Sequence, residues 1–160
     1  MDEESKGIPV RVENLVEVVG DVFTTPQMDI PGIATASAYT TADAFGVKFS
    51  LEVPPKGVIS TAVFLDKDAE GINKELVVFR GDFVVTADHD AFAPSDGDLE
   101  NIVGIIEWET WYSYSLNQVG IAYPALYYTA PQGKLFFQFV TRGADNIAAA
   151  AVPRFFLVIT

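Results

Sequence analysis

The chain has no cysteine and a single histidine, His89, in 160 residues. Without cysteine there is no disulfide, no thiolate metal site and no cysteine nucleophile, which fits assembly in a reducing cytosol. One imidazole cannot supply the several nitrogen or sulfur ligands that zinc takes. Basic residues are scarce as well. Ten Lys and Arg against 22 Asp and Glu give a net charge of -12, and no Lys or Arg lies between Arg80 and Lys134. Phosphate backbones and anionic headgroups are held by Lys and Arg, so neither nucleic acid nor a membrane surface is expected as a partner. No G-x-S-x-G frame or similar nucleophile motif is present. No apolar run reaches the ~20 residues of a bilayer span: the most apolar stretch, IAAAAVPRFFLVIT, is short and interrupted by Pro153 and Arg154. The N-terminal MDEESKG is acidic and lacks an apolar core, so no secretory signal is expected. No amphipathic helix of usable length is visible either.

What is present is a composition that folds, 49% apolar and 20% charged, at a length that suits one domain with a real core. Residues 1–8 read as a flexible N-terminal arm and 9–160 as a single domain. Val10 to Val19 fits a strand or a short helix, and Asp21 to Pro31 is turn-rich with no assigned structure. Val47 to Val53 alternates without fault, with Val47, Phe49, Leu51 and Val53 facing a core. Pro54-Pro55-Lys56-Gly57 turns the chain into Val58 to Leu65, apolar enough on both faces for a central strand. Further strands are expected at Leu76 to Phe79, Val103 to Trp108, Trp111 to Leu116 (an exposed face or an edge), within Val119 to Tyr128, at Leu135 to Thr141 and at Phe155 to Ile159. Ser95 with Asp98 three residues on forms a capping-box pattern, so one short helical turn is expected near 95–102. About eight short strands with sandwich-like turn spacing predict an all-β fold, a jelly-roll-type antiparallel β-sandwich.

The stretch from Leu76 to Trp108 attracts attention because an acidic loop with the only histidine joins two apolar runs. His89 between Asp88 and Asp90 has the makings of an oriented base, but no partner nucleophile accompanies it, and a solvated loop is the simpler reading. Asp88, Asp90, Asp96, Asp98 and Glu100 offer oxygens of the kind calcium takes, without EF-hand spacing. Arg80-Gly81-Asp82 spells an adhesion tripeptide, which a strand-end turn explains equally well. Glu107 and Glu109 flank Trp108, but on a strand both point to one face, a poor geometry for the acid and nucleophile of a glycosidase. No catalytic residue, metal ligand or cofactor is therefore assigned. The aromatic cluster Trp111, Tyr112, Tyr114, Tyr123, Tyr127 and Tyr128 is the candidate partner interface, since aromatic side chains are enriched in such surfaces.

The order of motifs carries a resemblance. Ala38-Tyr39 with Asp43 and Gly46 is followed by Gly57-Val58-Ile59, Leu65-Asp66-Lys67 and Leu76-Val77-Val78-Phe79. Then come Asp90-Ala91-Phe92-Ala93, Ser95-Asp96, Leu99, Ile102 to Ile106 and Val140-Thr141-Arg142-Gly143-Ala144. In order and spacing, over roughly residues 34–160, the chain resembles a group of small tailed-bacteriophage virion structural proteins with β-sandwich subunits. It departs from them after Phe79, where Arg80-Gly81-Asp82-Phe83 stands in place of an early proline. The resemblance implies no catalysis and no cofactor. It implies a capsid decoration (cement) protein on the virion surface, binding the major capsid protein or other virion proteins and oligomerising, as a trimer for instance. A tail- or fibre-associated module that binds a receptor or glycan is the alternative role of such sandwiches.

Overall fold

The computed structural model describes residues 21–160; the arm at 1–8 and the element expected at Val10 to Val19 lie outside the described residues. The described chain runs β1 (Phe23–Thr24), β2 (Met28–Asp29), β3 (Ala44–Glu52), β4 (Lys56–Asp66), β5 (Lys74–Phe79), α1 (Asp96–Leu99), β6 (Ile102–Trp108), β7 (Trp111–Ser113), β8 (Gln118–Ala122), β9 (Leu126–Thr129), β10 (Lys134–Thr141) and β11 (Arg154–Ile159). These form two antiparallel sheets packed as a β-sandwich. One has the order β1-β11-β4-β8-β7, with β2 also on β11 and β9 also on β4; the other has the order β3-β10-β5-β6. No helix among the described residues is long and apolar enough to cross a membrane.

Period-two alternation decides which side chains enter the core. On β11, Phe155, Leu157 and Ile159 point in; on β4, Ile59, Ala62 and Phe64 do, and on β10, Leu135, Phe137 and Phe139. Phe139 packs its edge on Phe155 at 5.0 Å and lies 5.8 Å from Trp108, whose indole N–H donates to the Ala62 carbonyl at 3.1 Å. That bond satisfies the one polar atom of a side chain that is otherwise fully buried. β4 is central, as its two apolar faces predict. β3 carries the expected alternation, but between Phe45↔Phe139 and Phe49↔Phe137 the register shifts, three residues of β3 facing one of β10.

Two glycines are required by this packing. Gly46 sits in the bulge at φ +79°, where a Cβ would collide with the Pro31 carbonyl. Gly120 on β8 lies under both indoles, a Cβ there falling 2.8 Å from Trp108 and 2.9 Å from Trp111. Gly46→Ala combines left-handed strain with overpacking, and an expected loss of about 2–4 kcal/mol will appear as a lower urea midpoint at unchanged slope.

The single helical turn falls where the capping pattern places it. Ser95 Oγ accepts from the Asp98 amide at 3.1 Å, and the Asp98 carboxylate accepts from the Ser95 amide at 3.1 Å. Ser95→Ala is expected to cost about 1 kcal/mol, read from a small shift in thermal midpoint. The turn-rich stretch after Asp21 contributes β1 and β2. Residues 33–39, despite their β-branched composition, form turns, because their backbone bonds go to loops: the Ala36 amide donates to the Ile147 carbonyl and the Tyr39 amide to the Asp145 carbonyl.

The outer faces of the two sheets differ. Over the four-stranded sheet, Val77, Phe79, Phe83 and Val140 form a second small core with Phe92, Ile102 and Phe136. The loop after β5 makes this cover. Phe83 stacks on Phe79 at 4.1 Å, Lys48 Nζ donates to the Phe83 carbonyl at 2.6 Å, and Gln138 Nε2 donates to the Thr86 carbonyl at 2.6 Å.

Candidate functional site

The acidic loop is built into the fold. Asp88 accepts from the Tyr39 hydroxyl at 2.8 Å, the Gly46 amide at 2.6 Å and the Ala34 amide at 2.9 Å, and meets His89 Nδ1 at 2.8 Å. His89, at φ +69°, stacks on the Tyr39 ring at 3.7 Å. The solvated-loop reading of His89 is corrected accordingly. Its neighbouring carboxylate satisfies one amide of the turns before β3 and one in the β3 bulge, and the imidazole stacks on the Tyr39 ring beside them. Burial first, then the hydrogen bond to Asp88, raises the Tyr39 hydroxyl well above the ordinary tyrosine range. A raised folded-state pKa means stability that is complete below the ordinary tyrosine value near 10 and is lost as pH climbs beyond it. Alkaline unfolding is therefore expected to begin at lower pH in the wild type than in Tyr39→Phe, after correction for that variant's lower stability at neutral pH.

The other acidic side chains go separate ways. Asp98 closes the cap, and its carboxyl is held below the usual range by the Ser95 hydroxyl and amide. Asp82 of the Arg-Gly-Asp tripeptide accepts from Lys48 Nζ at 2.6 Å, which holds its carboxyl down and pins the turn. Glu107 lies opposite Glu75, whose carboxylate is bridged by Arg142, while Trp108 turns into the core. Among the described residues, no three His, Asp or Glu side chains gather as a metal-holding group.

The six aromatic candidates divide. Tyr128 is 2% exposed and Trp111 is half-buried, its ring edge-on to Phe64 at 5.5 Å. Neither presents itself to a partner, because both point inward at their strand positions. Tyr112, Tyr114, Tyr123 and Tyr127 are 55–75% exposed, and Leu116 joins them at 79%. They lie along one margin of the molecule: Tyr112 on the edge strand β7, Tyr114 and Leu116 in the β7–β8 connection, Tyr123 at the break after β8 and Tyr127 on β9.

That margin continues onto a surface that single-strand reading misses, the outer face of the seven-stranded sheet. Cross-strand registers align Phe156, Val63 and Ile121 in one row, and Arg154, Leu65, Val119 and Tyr112 in the next. Val58 stands opposite Tyr127 further along. Apart from Tyr112 and Tyr127, which are exposed, these side chains are half-buried. The available signal was the apolar character of both parities of β4, which indicates a face covered by something.

Compared with protein-family models, curated proteins and solved structures, the chain matches none.

Proposed function

We propose that the chain is a non-enzymatic virion structural protein of a tailed bacteriophage, a capsid decoration protein that binds the major capsid protein shell. The carrying observation is the row of exposed Tyr112, Tyr114, Leu116, Tyr123 and Tyr127 on a margin of an otherwise well-packed sandwich. Large apolar side chains grouped at a surface mark protein contact sites, and tyrosine supplies contact area at little conformational cost. The polar groups of the acidic loop, Asp88 and His89 among them, are engaged in holding the fold, which supports a structural reading of that loop. A net charge of -12 suits a subunit present in many crowded copies.

The test is co-sedimentation of the purified chain with empty heads assembled from the capsid protein encoded alongside it. Saturable binding at a stoichiometry near that of the capsid subunits is expected, and no association with heads would remove the reading. The same exposed tyrosines favour one second reading, a receptor- or glycan-binding module of the tail. Saturable glycan binding lost in Tyr112→Ala and Tyr114→Ala, with no binding to heads, is the outcome that selects it. Trp111 is unsuitable for that test because its ring supports Phe64 and β8.

A further inference from the structure

We propose that Lys74 and Asp145 form a site of covalent self-modification, where ammonium and carboxylate condense to an amide that clamps β5 to the loop after β10. The site stands whether or not the chain decorates a capsid. Its basis is placement. Lys74 opens β5 opposite Thr141, the last residue of β10, and the chain after β10 returns Asp145 to it. An amine and a carboxylate 71 residues apart in sequence are thereby held in contact, Nζ to Oδ1 at 2.7 Å. Lysine and aspartate are rarely buried, yet both are buried here, with the rings of Phe45, Phe64 and Trp111 about the ammonium. Two groups fixed this way for the lifetime of the fold reach an effective concentration that no free pair attains.

The surroundings also favour the reactive form. An apolar shell penalises charge and brings the neutral amine and acid within reach of the ion pair. Burial pushes the Lys74 ammonium below the ordinary lysine value, against the pull of Asp145. A lysine ammonium carries three protons, and each has a place to go. Two pass to Oδ1, which leaves as water as the Nζ–Cγ bond forms and the Cγ–Oδ1 bond breaks. The third stays on nitrogen, where the Ile72 carbonyl already accepts from Nζ at 2.7 Å. Oδ2 becomes the amide oxygen. It accepts from the Thr141 hydroxyl, which steadies the charge gathering there in the tetrahedral intermediate. One ammonium and one carboxylate thus give one amide and one water, with no further reactant.

Because the ammonium must first give up a proton, the ion pair is the resting state and the amide accumulates from it slowly. Freshly folded chains carry the pair unlinked. Once formed, the amide closes a covalent loop from β5 to the end of β10, restricting the unfolded chain as a disulfide does, in a protein that has no cysteine.

The experiment follows the intact mass of the purified full chain over days at moderate temperature, beside the same chain held in concentrated urea. A growing fraction of the native sample should lose the mass of one water. The urea sample should lose none, since only the fold places the two groups. Digestion of the lighter species should release one branched peptide joining Lys74 to Asp145. The linked fraction should also unfold at a higher urea midpoint than fresh protein. Asp145→Ala and Lys74→Met should keep their full mass, which is read equally well should either fail to fold. Native wild type that stays at full mass throughout overturns the proposal. So does an equal loss of water in urea, or a lighter species without the branched peptide, such as a cyclic imide at Asp96-Gly97.

Discussion

Asp145→Ala will cost about 3–5 kcal/mol, because it leaves the Lys74 ammonium buried without its counter-charge. Lys74 is 3% exposed and Asp145 fully buried, their Nζ and Oδ1 2.7 Å apart. The ammonium also donates to the Ile72 carbonyl at 2.7 Å and lies among the rings of Phe45, Phe64 and Trp111. Thr141 Oγ1 donates to the second carboxylate oxygen. Burial pushes the Lys74 pKa down, and the attraction of Asp145 opposes that shift without cancelling it. Against a total stability of about 5–15 kcal/mol for a domain, the loss brings the variant close to unfolding at moderate temperature. The Lys74→Met single variant should fall by a similar amount, since it strands the carboxylate. Lys74→Met with Asp145→Leu should recover most of the loss, because an apolar pair of similar volume removes both charges. Urea titrations of the four proteins give the coupling. Single variants within about 1 kcal/mol of wild type would show that water enters the site and that the pair is not sealed in the core.

Asp88→Ala is the second large effect, with an expected loss of roughly 3 kcal/mol, since the buried Tyr39 hydroxyl and Gly46 amide lose their acceptor, each orphaned buried group costing about 1–3 kcal/mol, and the exposed Ala34 amide is left to water. The three donors belong to the turns before β3 and to β3 itself, while Asp88 belongs to the loop that seals the four-stranded sheet. The variant should therefore open locally before it unfolds. Hydrogen exchange is expected to speed up at Gly46 and at Phe92, whose amide bonds the Ala42 carbonyl, before it does on β10. With the carboxylate gone, the Tyr39 hydroxyl should also titrate closer to the ordinary tyrosine value. Uniform acceleration across both sheets would contradict a local role for Asp88.

The parts of this fold that follow from local chemistry were legible in the chain. Strict alternation marked Val47 to Val53, two apolar parities marked β4 as central, and Ser95 with Asp98 marked the one helical turn among the described residues. Long-range pairing was not legible. Nothing near Asp88 in sequence reveals that its acceptors serve amides 42 and 54 residues away, so a structural anchor looked like a solvated loop. The tyrosine cluster was recognisable by composition, but its two inward members were not. Tyr127 and Tyr128 differ only in strand parity, and that parity is fixed by the register of β9 on β4. The apolar outer face was hidden for the same reason, since Phe156, Val63 and Ile121 become neighbours only when three strands distant in sequence are placed side by side.

As proposed, this sandwich decorates a capsid through its tyrosine margin. A cryo-EM map of the intact particle, with the chain fitted as a rigid body, tests that most directly. The prediction is density for many copies on the outside of the head, with Tyr112, Tyr114, Tyr123 and Tyr127 turned toward the capsid protein. Density confined to the tail, or no density on the particle, would contradict it.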